Sequence, residues 1–297
     1  MNPSDPPPGQ IPEALAETIG RARPRLGRLA STLLYFPTIG STNDIALSHC
    51  APASAIGFGG SAVARSASVG GKALAERSAE RPDGLVVVAD EQTAGRGRRG
   101  HAWFSPPGSG LYVSVVLAPA TARVDPLRAT RLLTLAAGVA LAEGIHAATR
   151  LVVSLKWPND LLVAPRKLAG ILGEATDRLV VVGYGINVAA AAFPPELRDR
   201  ATSLESELGR PVDRHHVLVE TLAALSRRYE DLLDGRFDAI LDAWRRHAPA
   251  ASGARVTWTT MEGMQSGVTA GIDEEGALLV QVGDRVERLV SGEISWL

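Results

Sequence analysis

The spacing of apolar residues changes along the chain, and the changes divide it into elements. Leu33–Phe36 is a short apolar run that predicts a strand. Leu85–Ala89 and Leu111–Leu117 are Val-rich and continuous, as in strands covered on both faces. From Arg128 to Ala147 the period becomes helical, with Leu132, Leu135, Val139 and Ala142 on one stripe. Short apolar runs with turns between them follow at Leu151–Leu155, Leu161–Val163, Lys167–Gly173 and Leu179–Val188, predicting a strand meander that is antiparallel at least in part. Arg214–Leu233 and Phe237–Arg246 are helical again, and Asp213 stands where an N-cap belongs. Ser41-Thr42-Asn43-Asp44 offers the same capping chemistry before an apolar stretch. After Pro249 the chain turns to short strands punctuated by Gly263, Gly267, Gly271, Gly276 and Gly283. That pattern predicts a small all-β module over 250–297.

Two stretches carry no such pattern. Residues 1–30 begin with Pro3, Pro6, Pro7 and Pro8 and read as a flexible tail with at most one short helix, Pro12–Arg23. Residues 50–80 are rich in Ala, Gly and Ser and read as a flexible insertion within a larger domain over 31–249. The fold class expected is α/β, a mixed sheet with helices, followed by the small β module.

Composition narrows the function. A hydrophobic fraction of 45% allows a sizeable core, and a formal net charge of -1 gives no basic excess for a nucleic-acid backbone. Phosphate binding must therefore come from a local cluster. Cys50 is the one cysteine in the chain, which excludes an internal disulfide and a cysteine-based zinc site and fits a reducing cytosol. The N-terminus lacks the charged and apolar regions of a secretory signal, and no apolar run reaches the roughly 20 residues that span a bilayer. A cytoplasmic protein with no membrane contact is expected. No metal-ligand cluster is read from the sequence.

Four segments carry chemistry. Gly95-Arg96-Gly97-Arg98-Arg99-Gly100 follows an apolar strand and places three guanidiniums on a glycine-rich backbone. Arginine binds phosphate and carboxylate through a planar fork, and glycine lets a backbone approach a ligand closely. The spacing matches neither a P-loop nor a dinucleotide fingerprint. Trp103 lies just beyond, where it can stack on a planar ligand or serve the core. Lys156-Trp157-Pro158-Asn159-Asp160 ends a strand in a polar turn. Lys167-Leu168-Ala169-Gly170 opens the next strand. Of 31 Lys and Arg residues only Lys72, Lys156 and Lys167 are lysine, and two of them flank that turn. A compact ammonium is thereby set where the chain otherwise uses arginine. Gly183-Tyr184-Gly185-Ile186-Asn187 ends a strand with small residues that leave room for a ligand, or for a bend.

In order along the chain, Ser41-Thr42-Asn43, Gln92 through Pro106, Lys156–Asp160, Lys167–Leu172, Gly183–Asn187 and Gly292-Glu293-Ile294-Ser295 resemble the biotin protein ligase family. The matching segments run from about residue 33 to the end. The resemblance implies a class II synthetase-like catalytic domain and an SH3-like C-terminal β-barrel. It implies ATP with magnesium, biotin as substrate, and a biotin carboxyl carrier protein as acceptor, with a homodimer left open. It also implies roles. Ser41, Thr42, Asn43 and Gln92 would line the biotin pocket, and Gly95, Arg96, Gly97 and Arg98 would close over biotin and its adenylate. Trp103 would lie near the nucleotide, and Lys167 near the biotin carboxylate and the phosphate. Asn159, Asp160, Gly170, Gly185 and Asn187 would face the same cleft. Arg96, Arg98 and Lys167 are the residues expected to carry catalysis. Three features depart from the family pattern: the long stretch before Leu85, His101-Ala102 where many members have basic residues, and Ser291 in place of a glycine.

The nearest rival is a lipoate or octanoate ligase of similar fold. The arginine loop with Trp103 and the ending Gly-Glu-Ile-Ser favour biotin. A nucleic-acid-binding protein built on the arginine loop is disfavoured by the near-neutral charge and by the loop's place between strands. A ligase that also represses transcription is disfavoured because residues 1–30 are too few for a winged-helix domain.

Overall fold

The computed structural model describes residues 6–50, 82–190, 193–260 and 263–296. The expected insertion over 50–80 lies, apart from Cys50, outside the described residues. A seven-stranded sheet is built from β1 (Leu33–Phe36), β2 (Val86–Ala89), β3 (Gly110–Leu117), β4 (Ser154–Lys156), β5 (Asp160–Val163), β6 (Arg166–Ala175) and β7 (Val180–Asn187). Its order is β1-β2-β3-β7-β6-β5-β4. β1 and β2 are parallel and the remaining neighbours antiparallel, so the sheet is mixed as expected.

Both faces of its centre are covered, which is why β2 and β3 read as unbroken apolar runs. Val86, Val88, Val113, Val115 and Leu117 turn to the main core, under helices α3 (Pro126–Thr149) and α5 (Arg214–Leu233). Val87, Ala89, Val116 and Val181 turn to the opposite face and join a smaller cluster with Ile45 and Ala46 of α2 (Thr42–Cys50). α3 starts at Asp125, whose side chain accepts from Arg128 N at 3.0 Å, and ends at Arg150 in the left-handed region. By length and composition α3 could cross a membrane, but most of it is buried in the core. It crosses α5 closely at Gly144, where a Cβ would stand 2.5 Å from Thr221 Cα. Asp213 caps α5 as its sequence position predicts, accepting from His215 N at 2.9 Å. A short helix, α4 (Leu204–Leu208), precedes α5, and α6 (Phe237–His247) follows it.

Two local expectations need correction. The N-terminal segment does contain the short helix, α1 (Glu13–Ala22), but from there to Ala30 it is packed and not a loose tail. Leu15, Leu26 and Leu29 are buried, and Arg25 donates to Glu220 of α5. Apolar residues spaced along this segment give it enough area to bury. The run Leu151–Leu155 forms a strand only from Ser154. Arg150 has positive φ and Val152 is 72% exposed, so the first half is a connection from α3 to the sheet edge.

The C-terminal strands β8 (Ser252–Thr260), β9 (Gly263–Ile272), β10 (Leu278–Val282), β11 (Arg285–Leu289) and β12 (Ile294–Trp296) make a five-stranded antiparallel sheet in the order β11-β10-β9-β8-β12. Its buried Val256, Trp258, Ile272, Leu278 and Val280 belong to the same apolar cluster as the main core. Trp157 Nε1 donates to Gly276 O at 3.0 Å across the junction.

Candidate active site

Strand register determines the floor of the site. On the α2 face of the sheet, Asp160 of β5, Gly170 of β6, Gly185 of β7 and Tyr112 of β3 form one cross-strand row. Leu172, Gly183 and Ser114 form the next, and Glu174, Val181 and Val116 the one after. Intervening residues such as Ile171, Tyr184 and Ile186 point to the main core, as the two-residue period of a strand requires. Gly170, Gly183 and Gly185 therefore fall on one face and leave a trough in the sheet.

Large side chains lie in that trough. A Cβ on Gly185 would stand 2.2 Å from Trp103 Nε1, and one on Gly183 2.1 Å from Asn43 Oδ1. A Cβ on Gly170 would stand 3.0 Å from the Trp103 ring and 3.1 Å from Lys167 Cε. Lys167 Nζ sits 5.3 Å from the centre of the Trp103 ring and 2.7 Å from Asp160 Oδ1. The carboxylate and the ring together hold the ammonium over the trough.

At one end α2 supplies a polar wall. Thr42 donates from N and Oγ1 to Gln92 Oε1 at 2.9 and 3.0 Å, and Gln92 Nε2 donates to Ser105 Oγ at 3.1 Å. Ser114 Oγ lies 2.8 Å from Thr42 Oγ1 and 2.5 Å from Asn43 Oδ1. Asn43 Nδ2 donates to Glu174 Oε2 at 2.6 Å. Ser41, Thr42 and Asn43 are all buried, so this network presents a preset pattern of donors and acceptors to a small polar ring.

The arginine loop folds on itself between β2 and β3. Gly97 N donates to His101 O at 2.7 Å and Trp103 N to Gly95 O at 2.8 Å. The tip turns through Arg99 (φ 55°) and Gly100 (φ 78°). Arg96 bridges Asp44 and Glu174 at 2.6 and 3.0 Å. Arg98 reaches Asn159 Oδ1 at 3.2 Å, and it is half-buried. Burial, together with the neighbouring charge of Arg99, holds its pKa below the ordinary arginine value. Lys156 is likewise lowered by burial, with Asp160 acting in the opposite direction.

One cavity of about 630 Å³ gathers Ser41, Thr42, Asn43, Gln92, Arg96, Gly97, Arg98, Trp103, Asn159, Asp160, Lys167, Gly170, Gly185 and Asn187. Of the residues expected to line the site, Gly95 alone is not on its wall. A Cβ there would meet Trp103 O at 2.6 Å and Ser105 Oγ at 2.7 Å, so Gly95 serves the loop's own closure. Asn159 and Asn187 reach the cavity with their amides committed to Ile171 O and Thr202 O. Sequence reading missed Ser114, Glu174, Asp44, Phe193 and Arg200. Ser114 left a signal, as the one polar residue inside Leu111–Leu117. Glu174 and Asp44 left none, because their importance lies in the partner each meets across the fold.

Comparison with known proteins gives the family. Residues 69–188 match the Biotin/lipoate A/B protein ligase family, and residues 251–297 match the Biotin protein ligase C terminal domain. A biotin–[acetyl-CoA-carboxylase] ligase of Mycobacterium tuberculosis is 34% identical over 218 residues, 71% of this chain and 79% of the relative. A bifunctional ligase/repressor of Bacillus spizizenii is 39% identical over 220 residues, 72% of this chain but 66% of the relative, just under two thirds of its length. Biotin protein ligase from Aquifex aeolicus, solved in complex with biotin and ATP, has a TM-score of 0.69 and 28% identity, covering 90% of this chain and 99% of that one. The fold is thus that of the protein ligases for biotin and lipoate. With a C-terminal domain of the biotin type also matched, the chain belongs to the biotin protein ligase family.

Proposed function

We propose that this protein activates biotin with ATP, forming biotinyl-5'-AMP and pyrophosphate, and then transfers biotin to a lysine of a biotin carboxyl carrier protein. The observation that carries the reading is the single cleft in which a preset hydrogen-bonding wall, a glycine trough and a cluster of cations converge, in a chain of this family.

In the first step the biotin carboxylate attacks the α-phosphate of ATP. Two anions must meet in a site from which water is largely excluded, where their repulsion is strong. Lys167, held by Asp160 and Trp103, supplies a positioned ammonium for the carboxylate and the phosphate. Arg98 adds a guanidinium from the loop. Arg96 pairs with Asp44 and Glu174, tethering α2 to β6, and can join only by exchanging them for the ligand. The Ser41–Asn43 wall and Gln92 take the biotin ring system. Magnesium comes with the triphosphate; among the described residues no group of three His, Cys, Asp or Glu side chains converges on a metal position, and no protein ligand is assigned to it.

The adenylate is a mixed anhydride and must be kept from water. The loop from Gly95 to Gly100, ordered over the intermediate, provides that cover. In the second step the anhydride is already activated, and the protein's contribution is orientation of the incoming lysine. With ATP as co-substrate, the reaction belongs in the cytoplasm.

Biotin-dependent exchange of labelled pyrophosphate into ATP by the pure protein tests this reading, with lipoate and octanoate as parallel acids. Exchange with biotin alone is expected. Exchange with lipoate or octanoate alone would move the protein to the rival substrate, and no exchange with any acid would remove the adenylation step.

A further inference from the structure

Asp90 stands two residues before Gln92 and is not on the wall of the cleft. By the two-residue period it continues the side of β2 that carries Val86 and Val88 toward the main core. Two donors reach its carboxylate from different elements. The hydroxyl of Tyr35, buried on β1, donates to Oδ2. The guanidinium of Arg214, the first residue of α5, pairs with Oδ1 at 2.8 Å. Burial and the Asp90 carboxylate push the Tyr35 hydroxyl up to about 12, so it stays a donor throughout the neutral range.

The backbone shows what this carboxylate anchors. Beyond the ends of β1 and β2 the two segments remain paired as a ribbon. Asp90 N donates to Phe36 O at 3.0 Å, Ile39 N to Glu91 O at 3.2 Å, Thr93 N to Ile39 O at 2.9 Å and Ala94 N to Gly40 O at 2.9 Å. The ribbon sets Gln92 beside Thr42, which donates twice to Gln92 Oε1. A third segment hangs from the same place, since Gly108 N donates to Asp90 O at 3.1 Å and Gln92 N to Ser105 O at 3.2 Å. Stability is a poor reason for the charges. A guanidinium in the first turn of a helix is opposed by the helix dipole, and an ion pair that solvent reaches adds little. What two donors on one carboxylate do supply is a fixed position for the base of the ribbon.

We propose that Asp90 is a positioning residue for the biotin wall, held by Tyr35 and Arg214 so that Gln92 and Thr42 keep the spacing the biotin ring system requires. The assignment rests on the adenylation reading above. Asp90 touches no reacting atom and acts through Gln92. Its effect therefore falls on the binding of biotin, and neither on ATP nor on the chemical step.

Pyrophosphate exchange by the full chain, with biotin and ATP varied in turn, tests this. Asp90→Asn keeps the size of the side chain and removes its charge. It should raise the biotin KM about tenfold, the usual loss for a hydrogen bond to a charged group, with the ATP KM and kcat unchanged. Tyr35→Phe removes one hydroxyl and should raise the biotin KM about threefold. Arg214→Lys should recover part of what Arg214→Ala loses. In a Gln92→Ala background Asp90→Asn should add nothing further, because its effect passes through Gln92. Glu220→Gln, which loosens α5 away from Asp90, is the control: its melting temperature should fall while its biotin KM stays that of the parent. A biotin KM unmoved by Asp90→Asn would overturn the assignment. So would an equal rise in the biotin and ATP KM, or a rise in Glu220→Gln in proportion to its lost stability. No exchange by the parent with any acid overturns the adenylation reading beneath it, whereas biotin-dependent exchange with an unmoved biotin KM overturns the role of Asp90 alone.

Discussion

Lys167 carries three different contacts: Asp160 beside it, Trp103 against it and Gly170 beneath it. Removing its ammonium should cost on the order of 3 kcal/mol in the barrier to adenylation, by analogy with one lost oxyanion-hole donor. Lys167→Ala should therefore slow biotin-dependent pyrophosphate exchange by roughly a hundredfold or more while the circular-dichroism spectrum stays that of the parent. Lys167→Arg should restore little, because a planar fork does not fit a place made for a compact cation. The glycines of β7 make a sharper case. Gly185→Ala puts a methyl group where Trp103 Nε1 already lies, so the indole must move out of the trough. A loss of biotin affinity with a shift in tryptophan emission is expected; unchanged affinity would mean that Trp103 is not needed where it sits. Ser114→Ala removes the hydroxyl that links Thr42 to Asn43. Buried partners left short of a hydrogen bond cost about 1–3 kcal/mol, and the biotin KM should rise accordingly with kcat little changed.

The arginine loop folds on itself between β2 and β3, and the N-terminal segment packs on α5. If the loop covers the adenylate, amide exchange over Gly95–Gly100 should slow when biotin and ATP are added together. The same rate with and without ligands would count against the cover. The N-terminal segment is held by Arg25 and Glu220, and the guanidinium keeps the Glu220 carboxyl below its ordinary pKa. A depressed carboxylate pKa contributes stability that is fully present above the unfolded-state value, near 4.3 for Glu, and is lost as pH falls through the lower folded value. Glu220→Gln should therefore lower the melting temperature at neutral pH, and the gap from the parent should close in acid below about pH 4. Faster amide exchange confined to Glu13–Ala22 would accompany it. A pH-independent gap would assign the effect to packing and not to the ion pair.

The two sheets share one apolar cluster, and Trp157 and Arg131 tie them at the junction. Such a molecule should unfold in a single transition, with far-ultraviolet circular dichroism and tryptophan fluorescence changing together on heating. Two separated transitions would show the C-terminal sheet to be an independent unit. Much of this architecture was legible in advance. The apolar run of β2, the helical stripes of α3 and α5 and the Asp213 cap all appear where local periodicity and capping chemistry put them. The site motifs were legible as well, since glycine, lysine and arginine at those spacings have few other uses. The short extent of β4 was not, because a left-handed residue at Arg150 and an edge position override an apolar run. The packing of Glu13–Ala30 was not, because proline-rich neighbours dominated its composition.

By itself the sequence determined which faces are apolar, where helices begin, and which side chains could bind an anion, since each depends on residues within a turn or two of one another. Only the tertiary structure decided that Gly170, Gly183 and Gly185 share one trough, that Ser114 and Glu174 complete the wall begun by α2, and that Tyr35 and Arg214 meet at Asp90. Those relations depend on which strand lies beside which and in what register. A period of two residues says that a side chain faces the core or the cleft, but nothing about the partner it meets there.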